Sequence, residues 1–274
     1  MKNAINNLTI KVNDIIVSYN DTGSKEAPVI IFIHGFPLNK SMWNNQLESL
    51  KDNYRAIAYD IRGHGESDLG AIDFSIDLFV NDLLGFMDVL KIKKAIICGL
   101  SMGGYITLNA IENYSDRFTA VILSDTNCTS DSLEAKEKRM NTIISIKENG
   151  VEKLAYDLLP NLFAPESFKT NSEEISAVKQ MIVTTTIPSL NNSLHALANR
   201  KETCGKLASI KVPLLILVGK EDKITPPKAA SAMHEKIKDS FLQVIPHAGH
   251  LSNMENEREF NKHLNNFLND LKLI

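Results

Sequence analysis

Gly99-Leu100-Ser101-Met102-Gly103, with Gly104 behind it, is a G-x-S-x-G stretch. It follows an apolar run, Ala95-Ile96-Ile97-Cys98, and opens a helical pattern, Tyr105-Ile106-Thr107-Leu108-Asn109-Ala110-Ile111. Strand, tight turn and helix form the setting a nucleophile elbow requires. The turn is sharp, so the pattern predicts a strained backbone at Ser101 with its hydroxyl exposed above a sheet. Glycines at 99, 103 and 104 let strand and helix approach closely. The helix N-terminus behind Ser101 favours negative charge there.

The surrounding chain supplies a sheet for that turn. Residues 8–20 alternate around Asn13-Asp14, which predicts a β-hairpin with a two-residue turn, followed by a loop at Asp21-Thr22-Gly23-Ser24. Val29-Ile30-Ile31-Phe32-Ile33 is apolar on both faces, as in the middle of a parallel sheet. Further strands are expected at 54–59, 119–123, 212–218 and 241–245. Helices are expected near 40–50, 75–90, 227–238 and 256–272, the last with Phe260, Leu264, Phe267, Leu268 and Leu271 on one face. Repeated strand–helix units predict a mostly parallel α/β sheet with helices on both faces. From about Cys128 to Cys204 strand runs give way to helical spacing, which reads as an insertion forming a lid. This divides the chain into a core, 1–127 and 206–274, and a helical cap, 128–205.

Composition narrows the function classes. The 274 residues are 43% hydrophobic and 23% charged, with net charge −3, as in ordinary soluble domains. No Lys/Arg cluster suits a nucleic-acid surface. No run of 18 apolar residues offers a membrane span, and residues 1–7 lack an apolar signal region. Cys98, Cys128 and Cys204 are odd in number and widely spaced. They do not read as a disulfide framework or a zinc site, and a reducing cytoplasm fits them.

A serine hydroxyl needs a base, and the base needs an orienting acid. Open α/β sheets present ligands at the carboxyl ends of their strands, so candidates just after a strand count most. Asp222, after the strand ending at Val218, is the candidate acid. Its neighbour Glu221 and Asp125, after the strand ending at Leu123, are alternatives. His250, after the last strand, is the candidate base, with His247 its nearby competitor. The order Ser101, Asp222, His250 is the one this motif expects. His195, His234 and His263 fall on helical stretches and read as surface or structural residues. His64 and His34 read as structural members of their loops. An oxyanion hole needs two backbone N–H groups. Met102, after the serine, and Phe36, in His34-Gly35-Phe36-Pro37, are the candidates, since Pro37 has no N–H.

Together these residues resemble the α/β-hydrolase superfamily. The resemblance rests on HGFP at 34–37, YDIRGHGES at 59–67, GLSMGG at 99–104, VGKEDKITPP at 218–227 and HAGHLSNMENEREFNKHLNNFL at 247–268. Within it the chain is similar to small carboxylesterases, 3-oxoadipate enol-lactonase-like proteins and cofactor-free haloperoxidases. The resemblance implies an eight-stranded sheet, a helical cap, and a structural role for Asp60, Arg62 and Ser67 in the loop after Tyr59. Epoxide hydrolases and haloalkane dehalogenases use an aspartate where this chain has Ser101, and the HGGG of many lipases is absent. The implied activity is hydrolysis of a small carboxylic ester, thioester or lactone, with a small-molecule acyl substrate and no metal or organic cofactor. Perhydrolysis, carbon–carbon bond hydrolysis and ligand reception are alternatives on the same scaffold.

Overall fold

The computed structural model describes residues 6–23, 26–71 and 73–271. Residues 1–5, Ser24 of the expected 21–24 loop and Lys272 of the expected last helix lie outside them. Eight strands form one sheet: β1 (Asn6–Val12), β2 (Ile15–Asp21), β3 (Val29–Ile33), β4 (Arg55–Tyr59), β5 (Ala95–Leu100), β6 (Phe118–Ser124), β7 (Leu214–Gly219) and β8 (Phe241–Ile245). Their order across the sheet is β1-β2-β4-β3-β5-β6-β7-β8. β1 pairs antiparallel with β2, and β2 with β4; every other pairing is parallel. The hairpin turns at Asn13, whose φ is 50°, a conformation asparagine tolerates. The seventh strand begins at Leu214 rather than at the expected 212. Pro213 has no N–H for the ladder, and only its carbonyl takes part, accepting from Val121 N at 2.9 Å.

The apolar runs sort by parity onto the two faces, as the two-residue period of a strand requires. Ile31, Ile33 and Ile97 enter one buried cluster; Ile30, Phe32, Ile96 and Cys98 enter the other. The first cluster is closed by α2 (Ile76–Val89), α3 (Met102–Asn113) and α8 (Pro227–His234). α2 starts where Ser75 accepts from Leu78 N, and its spacing turns Phe79, Val80, Leu83 and Met87 inward. The second cluster is closed by α1 (Asn44–Leu50) and α10 (Glu257–Asp270), which buries Phe260, Leu264, Phe267 and Leu268.

Between β6 and β7 the chain is helical throughout its regular structure: α4 (Leu133–Leu162), α5 (Ser167–Thr170), α6 (Ser172–Thr184) and α7 (Ile187–Ala198). α4 is two helical segments joined at Gly150, whose φ of 81° and ψ of 176° leave the helical region. Ile146, Leu154, Val178, Ile182 and Leu190 bury this insertion's own contacts and join it to the second cluster. A short helix, α9 (Ser252–Glu255), precedes α10. Among the described residues no helix is long and apolar enough to cross a membrane.

The cysteine reading needs correction. Cys128 and Cys204 form a disulfide across 76 residues, their Cα atoms 4.9 Å apart, while Cys98 is free and buried. The insertion leaves the sheet and returns to it at one place, where Thr203 N donates to the Cys128 carbonyl at 2.9 Å. Sequence spacing carries no information about that return, so the pairing was invisible in it.

Candidate active site

Five loops meet at the carboxyl ends of β3, β5, β6, β7 and β8. The loop after β5 is the sharp turn expected. Ser101 has φ 53° and ψ −112°, a conformation in which a side chain is strained. The turn is over-determined by its neighbours. Ser101 N donates to the Ser124 carbonyl at 3.1 Å, and the Ser101 carbonyl accepts from Thr126 Oγ1 at 2.9 Å and Tyr105 N at 3.1 Å. A Cβ at Gly103 would overlap the Ile33 carbonyl, and one at Gly99 the Gly103 carbonyl. Only glycine permits that crossing of strand and helix. Gly35 packs less tightly on the other side; a Cβ there would stand 3.2 Å from Ser101 Cβ. The 34–37 loop is thereby held against the serine.

The loops after β7 and β8 bring Asp222 and His250 together. Asp222 Oδ2 accepts from His250 Nδ1 at 2.9 Å and from Thr225 Oγ1 at 2.7 Å; Oδ1 accepts from the N–H groups of Ile224 at 2.8 Å and Thr225 at 3.0 Å. Both side chains are buried. Burial pushes the Asp222 carboxyl up, but the His250 charge and the bonds from His250 and Thr225 outweigh it and hold it below 3.8. For His250, burial opposes protonation, but the Asp222 charge and hydrogen bond outweigh it and lift the imidazole above 6.5. With Nδ1 facing the carboxylate, Nε2 is the nitrogen left for chemistry. Among the described residues no hydrogen bond reaches Ser101 Oγ. In ligand-free sites such contacts are often loose and tighten with substrate.

Asp125 is not the partner of His250. Its φ is 44°, and it accepts from Gly219 N at 2.7 Å, Ser124 Oγ at 2.7 Å and Ser252 Oγ at 2.5 Å. It thus ties the end of β7 to the residue two past His250. Complete burial, with the Asp222 charge adding to it, pushes its carboxyl up to about 7. Glu221 contributes a backbone N–H to the Ala248 carbonyl at 2.9 Å, again linking these two loops.

Glu255 is a residue the sequence reading passed over. Its Oε2 accepts from Ala164 N at 2.7 Å and Ser167 Oγ at 2.6 Å; its Oε1 accepts from Gly249 N at 2.8 Å and Leu251 N at 3.4 Å. His250 N donates to the Leu162 carbonyl at 2.9 Å. The histidine loop and the end of α4 are one hydrogen-bonded unit. Thr225 was passed over as well. Neither has a periodic signal; each stands inside a stretch quoted for its resemblance.

Ser101, His250, Phe36 and Met102 line one cavity of about 400 Å³, shared with Tyr105 and with side chains of the insertion such as Leu154 and Leu158. The remaining histidines lie elsewhere. His34 Nε2 accepts from Ile61 N at 3.0 Å while Nδ1 faces the Gly35 carbonyl at 2.9 Å, and burial holds the ring neutral. His64 faces the Arg62 carbonyl and Ser193, and burial lowers it to about 4. His247 and His195 are exposed, and His234 and His263 are half-buried. The loop after β4 is held by charge: Asp60 accepts from Lys40 Nζ at 2.7 Å, Arg62 bonds Asp82 and Asp14, and Ser67 Oγ donates to the Asp60 carbonyl. Among the described residues no group of three or more His, Cys, Asp or Glu stands together as a metal site.

The fold recurs in known proteins. The alpha/beta hydrolase fold family matches residues 28–257. A 3-oxoadipate enol-lactonase of Acinetobacter baylyi is 28% identical over 253 residues, 92% of this chain and 93% of that protein. A thermophilic esterase from Thermogutta terrifontis superposes with a TM-score of 0.91 at 32% identity, over 96% of this chain and 98% of its own. The enol-lactonase of Burkholderia xenovorans superposes with a TM-score of 0.89 at 27% identity, over 96% of this chain and 100% of its own. With the eight-stranded sheet, the strained serine turn and a family match across most of its length, the chain belongs to the α/β-hydrolase fold family.

Proposed function

We propose that the protein is a serine hydrolase of small carboxylic esters, thioesters or lactones, acting through Ser101, His250 and Asp222. The observation that carries this reading is the buried Asp222–His250 hydrogen bond, 2.9 Å long, opening on the same cavity as the strained Ser101. Its esterase and enol-lactonase relatives support the substrate class.

Each step is assigned to a named group. His250 Nε2 takes the proton of Ser101 Oγ as the oxygen attacks the substrate carbonyl. Asp222 holds the tautomer with Nε2 free and stabilises the imidazolium that forms. The carbonyl oxygen becomes an oxyanion, and the N–H groups of Phe36 and Met102 receive it. The first turn of α3 leaves the Met102 N–H without a helical partner, which suits it to this role. The imidazolium gives its proton to the leaving alcohol. Water, activated by the same nitrogen, then releases the acid from Ser101. The chemistry draws on no cofactor. The insertion, 128–205, acts as the cap over the cavity, and its side chains select the acyl group.

The decisive experiment is labelling with a fluorophosphonate, with mass spectrometry of the adduct, beside turnover of a simple ester panel. Label on Ser101 and loss of turnover by about 10⁶ in Ser101→Ala are expected. A folded Ser101→Ala protein that keeps its turnover overturns the proposal. The cytoplasmic location expected from the sequence is opposed by the Cys128–Cys204 bond, which an oxidising compartment favours. Thiol alkylation of protein taken directly from its cell decides that point.

A further inference from the structure

The charge of the cavity contrasts with that of the chain. The protein carries a net −3, yet Lys138, Arg139, Arg200 and Lys223 all line the cavity that holds Ser101, against one acid, Asp131. These cations come from three separate places: Lys138 and Arg139 from α4, Arg200 from just after α7, and Lys223 from beside Asp222.

Two of the four are fixed in position. Asp131 accepts from both Arg139 Nε and Arg200 Nη1. Burial works against its charge, and the two guanidiniums outweigh burial, so it stays ionised. The Arg200 guanidinium also sits over the Tyr105 ring, its Cζ 4.3 Å from the centroid. Tyr105 is one helical turn beyond Ser101, bonded to its carbonyl through its own N–H. A guanidinium is therefore pinned one turn from the nucleophile. Arg200 is 8% exposed, and its Nε, buried, has no hydrogen-bond partner among the described residues. A buried donor without an acceptor is costly, and one carboxylate between two guanidiniums leaves positive charge over.

We infer that this site takes substrates carrying a second, free carboxylate, which the cationic wall formed by Arg139, Arg200 and the two lysines receives while Ser101 attacks the ester or lactone carbonyl. A guanidinium fork matches a carboxylate in shape as well as in charge. The two exposed lysines steer the anion inward and are screened by salt. This inference rests on the serine-hydrolase reading and adds to it the chemistry of the substrate's far end.

The test compares matched esters on the intact protein. Methyl hydrogen glutarate is set against methyl pentanoate, which places the acid on the acyl side. Acetoxyacetate is set against propyl acetate, which places it on the alcohol side. In at least one pair the acid ester is expected to lead by about tenfold or more in kcat/KM, the effect of one charge-assisted contact of about 1.4 kcal/mol. Raising ionic strength is expected to lower that ratio. Arg139→Gln is expected to lower it about tenfold and Arg139→Lys to restore part of it. Because the ratio is internal to one preparation, partial unfolding of a variant does not move it. Neutral esters turned over as well as acid esters in both pairs overturn the inference and leave the serine-hydrolase reading standing. No turnover in either pair, with no fluorophosphonate label on Ser101, overturns both.

Discussion

The carboxyl edge of the sheet and the helical insertion face each other across one cavity, and they are built on opposite plans. On the edge, position is enforced by contact too close for a side chain. A Cβ at Gly103 would overlap the Ile33 carbonyl. In the insertion the glycines are spacious: nothing lies within 4 Å of where a Cβ would stand at Gly205, and Gly150 marks a break in α4. Under the proposed mechanism the edge holds the groups whose chemistry fails when they shift, and the insertion lines the same cavity with the side chains that choose what enters. A family can vary the second without disturbing the first.

The sharpest way to break this contrast is at Asp222. Asp222→Asn keeps the shape of the loop but no longer selects the tautomer, so kcat is expected to fall about 10⁴-fold in a folded protein. The pH response carries a second signature. His250 must be neutral to act as base, so kcat/KM rises with pH through its folded value, which Asp222 lifts above 6.5. In Asp222→Asn that limb moves to lower pH. Stability follows the same pair. The Asp222 contribution is present above 3.8 and is lost as pH falls through its lowered folded value. The His250 contribution is full below 6.5 and is lost as pH rises through its raised folded value. The stability difference between the two proteins should therefore be greatest between 3.8 and 6.5 and shrink above. Denaturant melts across that range check it; a difference that grows with pH contradicts the assignment.

How much of this was legible in the sequence follows the same division. The strands, the serine turn and the placement of Asp222 and His250 after β7 and β8 were readable because each is written locally: an apolar run, then a turn, then one polar residue. The two-faced burial of β3 was visible in five consecutive apolar residues, Val29 to Ile33. What was missed is made by distant segments meeting. Cys128 and Cys204 are joined across the whole insertion, and Arg139 and Arg200 share Asp131 from opposite ends of it. Glu255 belongs to the same class, a carboxylate whose partners at Ala164 and Ser167 lie about ninety residues back in the chain. Helical periodicity reports which face a residue shares, not which helix end will arrive opposite it.

Glycines allow a paired experiment on the two plans. Gly103→Ala is expected to cost about 2–3 kcal/mol by overpacking against β3, together with most activity. Gly205→Ala is expected to change stability by less than about 0.5 kcal/mol. Equal melting shifts in the two variants would erase the distinction between the regions.

Glu255 is where the two plans touch. Glu255→Gln keeps the size but turns an amide NH2 toward a set of N–H and hydroxyl donors. With one oxygen no longer accepting, stability is expected to drop by about 1–3 kcal/mol. Because the lost bonds hold Gly249 and Leu251 on either side of His250, kcat should fall more than KM rises. Faster amide exchange at both Gly249 and Ala164 is the accompanying sign. Exchange that quickens at Ala164 alone would mean that the insertion moves without the histidine.

The smallest effect belongs to the insertion itself. Leu158 is half-buried on α4 and lines the cavity opposite the serine turn. Leu158→Ala removes apolar surface that is already partly in water, so it should cost about 1 kcal/mol of stability, well below a fully buried leucine. The space opened is worth about one or two methylenes, each able to change discrimination by tenfold or more in a closed pocket. In this open cavity the optimum acyl length should shift upward with about a fivefold change in relative kcat/KM. The absolute rate on the best substrate should stay within a small factor, since nothing at Ser101, His250 or Asp222 moves. A chain-length series on the two proteins reads the shift directly. A uniform fall in rate at every length would mean that Leu158 supports the edge instead of shaping the entrance, and the two regions would then share one plan.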